Sequence, residues 1–246
     1  MGSDIRLCRR SVALLLSTNV EVASQKIVVF ADAMGTSRLV ASEELRRDYL
    51  DRLRRAAPFA QEALGHAEER VPGFIRHGLS DSIILISPSN DPRSLHTILT
   101  TVADLQIAYF REGIMLRGGI SIGNHEPQSP IEASLPLLEC VWLDTRGAPP
   151  RIAIHSKLAS RVFGTANSEI ATHDVERETI YVAWAQRLRS SDIAPILDNL
   201  GRQLPMADEL LRANLRWVAE RALDAPGLEI AASNDIHTFI QATSNA

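Results

Sequence analysis

The pattern of apolar and polar positions divides the first half of the chain into alternating strands and helices. Short β-branched runs are typical of buried strands, and apolar residues at helical spacing indicate amphipathic helices. Ser42 before two glutamates and Asp91 before Pro92 are typical helix starts. The predicted elements are, in order, a strand over 26–32, a helix after Ser42, a hairpin over 74–86, a helix after Asp91 and a strand over 114–122.

The second half gives weaker signals: a short helix over 135–143, strands over 150–154 and 179–184, and a helix over 204–223. The order β-α-β-β-α-β followed by α-β predicts an α+β fold with a ferredoxin-like or palm core. We expect an N-terminal extension over 1–25, one domain over 26–223 and a C-terminal tail over 224–246.

This topology brings two distant acids together. In the usual sheet order the first strand lies antiparallel beside the third, so Asp32 at the end of one meets Asp81 at the start of the other. Two carboxylates about 4 Å apart repel by roughly 4 kcal/mol at an effective dielectric near 20. A divalent cation resolves that conflict, and the glycine-containing loop from Ala33 to Ser37 is suited to cradle a triphosphate. The pattern therefore indicates metal-dependent nucleotidyl chemistry.

Composition excludes several other classes of protein. The 246 residues are 45% hydrophobic with a net charge of -4, as in an ordinary globular protein without a basic field for nucleic acid. Two cysteines, Cys8 and Cys140, indicate neither a disulfide framework nor a zinc site, so we expect a cytoplasmic protein. The sequence has no apolar stretch long enough to cross a bilayer, and we expect no membrane partner.

Three motifs resemble class III nucleotide cyclases: Phe30-Ala-Asp-Ala-Met-Gly35, Ser80-Asp-Ser82 and Arg117-Gly-Gly-Ile-Ser-Ile-Gly123. The second and third are most similar to the pyrimidine cyclases of bacterial Pycsar antiphage systems. The resemblance is strong over about 26–154 and looser as far as Trp217.

The resemblance implies two Mn²⁺ or Mg²⁺ ions per active site. Their ligands would be the catalytic Asp32 and Asp81 together with the backbone carbonyl of Ala33. The candidate substrate-binding residues are Phe30, Met34, Gly35, Thr36, Tyr49 and Arg117. Two of these have open alternatives: Tyr49 is a helix core residue or stacks on a base, and Arg117 forms a structural ion pair or faces the substrate.

The resemblance also implies a nucleoside triphosphate substrate, a homodimer with its sites at the interface, and a cyclic product that acts on a separate effector protein. We expect UTP to be converted to 3′,5′-cyclic UMP, with CTP and cyclic CMP as the alternative. The polar, small-residue face of Arg117, Gly119 and Ser121 is expected to be open and to meet the second subunit.

The chain departs from the purine cyclases at two places. Leu138 and Trp142 stand where those enzymes carry a catalytic asparagine and arginine, and His77 stands where a lysine reads adenine. Two other functions are therefore considered: a catalytically inactive palm module that binds nucleotide, and a phosphatase of the haloacid dehalogenase type, suggested by residues 28–36.

Overall fold

A computed structural model describes residues 25–36, 42–79, 81–125, 134–144, 149–163, 169–174 and 179–245. The strands are β1 (Lys26–Ala33), β2 (Ile75–Leu79), β3 (Ser82–Ile86), β4 (Leu116–Gly123), β5 (Ile152–Ile154), β6 (Ala171–Asp174) and β7 (Thr179–Val182). The helices are α1 (Glu43–Arg70), α2 (Pro92–Phe110), α3 (Leu135–Asp144), α4 (Ala159–Phe163), α5 (Ser190–Gly201), α6 (Glu209–Ala222) and α7 (Ile230–Asn245).

The seven strands form one sheet in the order β2-β3-β1-β4-β5-β7-β6. Strand β1 is antiparallel to both β3 and β4, while β5 runs parallel to β4. The segment β1-α1-β2-β3-α2-β4 therefore has the connectivity and strand order of a ferredoxin-like unit. This confirms the predicted α+β fold with a βαββαβ core.

The principal core lies on the face of the sheet covered by α1 and α2. Alternate residues of β1, such as Ile27 and Val29, point to this face because side chains in a strand alternate between its two sides. Both helices begin where the sequence predicts. Ser42 accepts a hydrogen bond from the Leu45 N–H at 3.4 Å, and Asp91 accepts one from the Ser94 N–H at 2.9 Å.

Helix α3 covers part of the opposite face, and this corrects the expectation of an open face. Ser121 is fully buried, and a Cβ added to Gly119 would lie 2.7 Å from the Cys140 carbonyl oxygen. Small, polar residues on one face of a strand predict an open surface, but here they let α3 approach the strand closely. The expected open surface is thus an intramolecular contact between β4 and α3.

The C-terminal third contains more structure than the sequence indicated. Strand β6 and helix α5 were not predicted, and the helix predicted over 204–223 begins only at Glu209. The stretch 224–246, expected only as a tail, contains α7, which packs on α5 and α6 and buries Ile236. Of the helices in the described ranges, none has the length and apolar character needed to cross a membrane.

Candidate active site

The two aspartates meet at one end of the ferredoxin-like unit. Asp32 is the penultimate residue of β1, where it lies opposite Ser82 of β3 and Arg117 of β4. Asp81 immediately precedes β3, and its backbone carbonyl accepts a hydrogen bond from the Ala33 N–H at 3.1 Å. The antiparallel pairing of β1 with β3 thus joins two acids that are far apart in sequence.

The carboxylate of Asp32 is half-buried and only partly compensated. The Ser82 hydroxyl donates a hydrogen bond to its Oδ1 at 2.8 Å. Burial is the main cause of a raised pKa for Asp32, and the negative charge of Asp81 raises it further, while the Ser82 hydrogen bond and the Arg117 charge act in the opposite direction. On balance the protein alone disfavours the charged form of Asp32.

Such an environment fits a hard divalent cation. The ranges described above gather no set of three Asp, Glu, His or Cys side chains that could hold a metal by themselves. Mg²⁺ and Mn²⁺ are commonly held by one or two carboxylates, with carbonyl, water and phosphate oxygens completing the shell. Asp32, Asp81 and the backbone of Ala33 supply a donor set of that kind, and a cation would remove the unfavourable charge on Asp32.

A tight turn follows Ala33. The Met34 N–H donates to the Met115 carbonyl at 2.8 Å, which anchors the turn to the residue before β4. Gly35 has a φ of +84° and is exposed, with open space around its α-carbon, while Thr36 is half-buried. Ser37, the last residue of the predicted phosphate loop, lies outside the described residues.

The two aromatic candidates occupy different surroundings. Phe30 is half-buried and packs against the small apolar cluster beneath α3. Tyr49 is only 8% exposed and its ring packs in the principal core, so the ring has no open face for a base. Its hydroxyl has no hydrogen-bond partner. Burial raises the pKa of Tyr49, and the charges of Asp81 and Asp32 add to the effect.

The side chain of Arg117 forms an ion pair with a residue that the sequence did not single out. Its Nε lies 2.9 Å from Oδ1 of Asp144, the last residue of α3, although the N–H is not directed at that oxygen. Burial raises the pKa of Asp144, the Arg117 charge opposes that effect and the Asp32 charge reinforces it. Asp144 ends an apolar helical run, and only the packing of α3 on β4 brings it to the site.

Helix α3 carries no cation at Leu138 and Trp142, the two positions that the sequence resemblance matches to the catalytic pair of purine cyclases. Leu138 is 60% exposed and Trp142 is 50% exposed. With Leu135, they form a stripe at positions i, i+3 and i+7, which we call the α3 stripe.

The solved structures that are similar to this chain include two of a bacterial light-regulated adenylyl cyclase. No protein-family model and no curated protein matches the chain. One solved structure of a bacterial light-regulated adenylyl cyclase is 13% identical, with 65% of this chain and 89% of that chain covered and a TM-score of 0.42. A second is 14% identical, with 85% and 68% covered and a TM-score of 0.43. Identities and TM-scores this low carry no argument about function, so a function for this protein has to be argued from the topology of the sheet and the geometry of the site.

Proposed function

We propose that this protein is a metal-dependent nucleotide cyclase of the class III type. The observation that carries the proposal is the pairing of Asp32 with Asp81 at one end of a ferredoxin-like sheet, beside the turn at Gly35. The pair is half-buried, the charge of Asp32 is only partly compensated by Ser82 and Arg117, and the adjacent backbone is suited to phosphate. Those are the features expected of a site that handles a metal-bound triphosphate.

The proposed reaction is an intramolecular displacement on the nucleoside triphosphate. The ribose 3′-oxygen loses its proton to solvent and bonds to the α-phosphorus, while the bond from that phosphorus to the bridging oxygen of the β-phosphate breaks. The products are a 3′,5′-cyclic nucleotide and pyrophosphate. Divalent cations held by Asp32, Asp81 and the Ala33 carbonyl would supply Lewis-acid stabilisation of the attacking and leaving oxygens.

The side chains around the pair would orient these groups. Ser82 fixes one oxygen of Asp32 through its hydrogen bond. The Met34 N–H is bonded to the Met115 carbonyl, so Gly35 and Thr36 of this turn would offer the backbone N–H groups near the leaving phosphates. Arg117 is one-third exposed and carries a positive charge beside Asp32, as is required of a phosphate contact.

UTP is the substrate that we propose, and CTP is the alternative. Support comes from the resemblance and from His77, which occupies the position of the adenine-reading lysine. Ser82 of β3 pairs with Asp32 of β1 on one side and with Leu79 of β2 on the other. His77 is two residues before Leu79, so it lies on the same face of the sheet as Asp32. A pocket whose polar groups form hydrogen bonds with the exocyclic groups of one base strongly rejects a different base, because the buried polar groups of the pocket are then left without partners.

Two rival functions predict different products. The phosphatase rival requires a doubly wound parallel sheet, and the antiparallel neighbours of β1 exclude it. The inactive-module rival is favoured by Leu138 and Trp142 on α3. Purified protein incubated with UTP and Mn²⁺ should release pyrophosphate and a cyclic nucleotide. Inorganic phosphate alone would indicate a hydrolase, and an unchanged substrate would support the inactive module.

We also propose that the protein is a homodimer, with the α3 stripe in its interface. An exposed stripe of large apolar residues is typical of a protein-protein contact. A second copy is the occupant favoured by the resemblance, and it would bring the α3 stripe of each subunit toward the other.

The oligomeric state is tested by light scattering after gel filtration. Wild-type protein at micromolar concentration should have twice the chain mass of 27.1 kDa, and Trp142→Glu should have the mass of one chain. Leu210→Glu, on the 67% exposed Leu210 of α6, is the matched control and should remain dimeric. A monomeric wild-type protein with full activity would contradict the proposal.

The resemblance further suggests a biological role. We propose that the cyclic nucleotide is a second messenger in antiphage defence and acts on a separate effector protein.

A further inference from the structure

Asp144 occupies an unfavourable position for a carboxylate. It is the last residue of α3, where the helix dipole places partial negative charge, and its side chain is only 7% exposed. Burial raises its pKa, and the charge of Asp32 adds to that effect. A buried acid at the negative end of a helix needs a compensating partner, and that partner is Arg117.

Arg117 has two carboxylates within its electrostatic reach. Asp32 lies directly opposite it across the β1–β4 pairing, and cross-strand partners have Cβ atoms about 5 Å apart. An arginine in that position is well placed to form a bidentate ion pair with the opposite acid. Instead, the close contact of Arg117 is with Asp144 at 2.9 Å, while Oδ1 of Asp32 receives the Ser82 hydroxyl.

The choice of partner has a consequence for cation binding. A guanidinium seated on Asp32 would neutralise the carboxylate and occupy the oxygens that a divalent cation needs. With Arg117 held at Asp144, Asp32 keeps its oxygens available. The positive charge of Arg117 nevertheless still acts on Asp32, where it lowers the pKa.

We propose that Asp144 is a positioning residue that holds Arg117 away from Asp32 and thereby keeps Asp32 available to a divalent cation. This inference rests on the proposed function, since it assumes that Asp32 is a metal ligand. Asp144 itself touches neither substrate nor cation in this scheme.

The test is a double-mutant cycle read out as Mn²⁺ affinity, measured by calorimetry without nucleotide. Asp144→Asn should weaken Mn²⁺ binding about tenfold, because Arg117 is released toward Asp32. In an Arg117→Met background there is no guanidinium to move, so Asp144→Asn should then have little effect. If Asp144 instead attracted the cation directly, Asp144→Asn would weaken Mn²⁺ binding by the same factor in both backgrounds.

The control is Asp192→Asn, which breaks a comparable ion pair with Arg111. The Arg111 and Asp192 side chains are 30% and 10% exposed, against 33% and 7% for Arg117 and Asp144, and they lie 3.0 Å apart. This variant should bind Mn²⁺ like the wild type.

The outcomes separate this inference from the function on which it rests. Equal Mn²⁺ affinities of the wild type and Asp144→Asn, or an equal loss in both backgrounds, would overturn the positioning role alone. A folded wild-type protein that binds no Mn²⁺ would overturn the proposed metal site as well.

Discussion

Asp32→Asn and Asp81→Asn should each lower kcat/KM for cyclisation by about 100-fold or more while leaving the protein folded. Both acids lie where the end of β1 meets the start of β3, and each would donate oxygen ligands to the catalytic cations. Loss of a cation ligand removes several kcal/mol of transition-state stabilisation, and roughly 1.4 kcal/mol corresponds to a tenfold change in rate. The measurement is initial rate against UTP and Mn²⁺ concentration.

Asp32→Asn should lower activity but raise the free energy of unfolding of the metal-free protein at neutral pH. Because the folded-state pKa of Asp32 is raised, the folded protein binds more protons than the unfolded chain between the ordinary and the raised pKa. The free energy of unfolding of the metal-free protein therefore falls as pH rises through that window. Asparagine does not ionise, so the variant should escape this fall and be more stable at neutral pH.

Denaturation in urea with EDTA, over a series of pH values, measures this difference. Asp51→Asn is the control, because Asp51 is about half exposed and pairs with Arg54 on the surface of α1. Asp51→Asn should keep full activity. A folded Asp32→Asn or Asp81→Asn protein with wild-type turnover and unchanged metal dependence would contradict the assignment of both acids.

Gly118→Ala should be the most destabilising small substitution near the site. An added Cβ would lie 1.9 Å from the Phe30 carbonyl oxygen and 2.9 Å from the Ala31 Cα, and both are backbone atoms of β1. Gly118 also has a φ of +154°, which is unfavourable for alanine. Since β1 and β4 must separate to admit the methyl group, we expect a loss of about 3 kcal/mol or more in the free energy of unfolding.

Thermal unfolding measures the effect, which corresponds to a decrease in Tm of roughly 6–12 °C for a domain of this size. Gly65→Ala is the matched control. Gly65 lies within α1 with no atom within 4 Å of an added Cβ, so alanine there should stabilise the helix by up to about 1 kcal/mol. A Gly118→Ala protein with wild-type Tm would show that β1 and β4 are not spaced as described.

The sequence was sufficient for the ferredoxin-like unit because its determinants are local. The apolar, β-branched run of β1 and the caps at Ser42 and Asp91 depend only on residues near in sequence. Antiparallel pairing of the first and third strands then follows from the topology, and it places Asp32 beside Asp81. The sequence alone therefore predicts that these two acids lie together.

The remaining features depend on packing between distant segments. Gly119 and Ser121 suggest an open polar surface until α3 is placed on them. The same docking brings Asp144 to Arg117. Helix α7 was missed for a different reason, since its apolar positions are few and polar residues interrupt them. The contacts of α3 with β4, by contrast, have no signature in the local sequence pattern.

The most direct test of the proposed activity is a competition among substrates. Purified protein is incubated with an equimolar mixture of ATP, GTP, CTP and UTP and with Mn²⁺, and the products are separated by chromatography, with Asp32→Asn as the blank. We predict that cyclic UMP is the dominant product and that the blank yields none. Dominant cyclic CMP would change only the choice of uracil, and a dominant cyclic purine nucleotide would contradict pyrimidine selectivity. The absence of any cyclic nucleotide above the blank would contradict the assignment of this protein as a nucleotide cyclase.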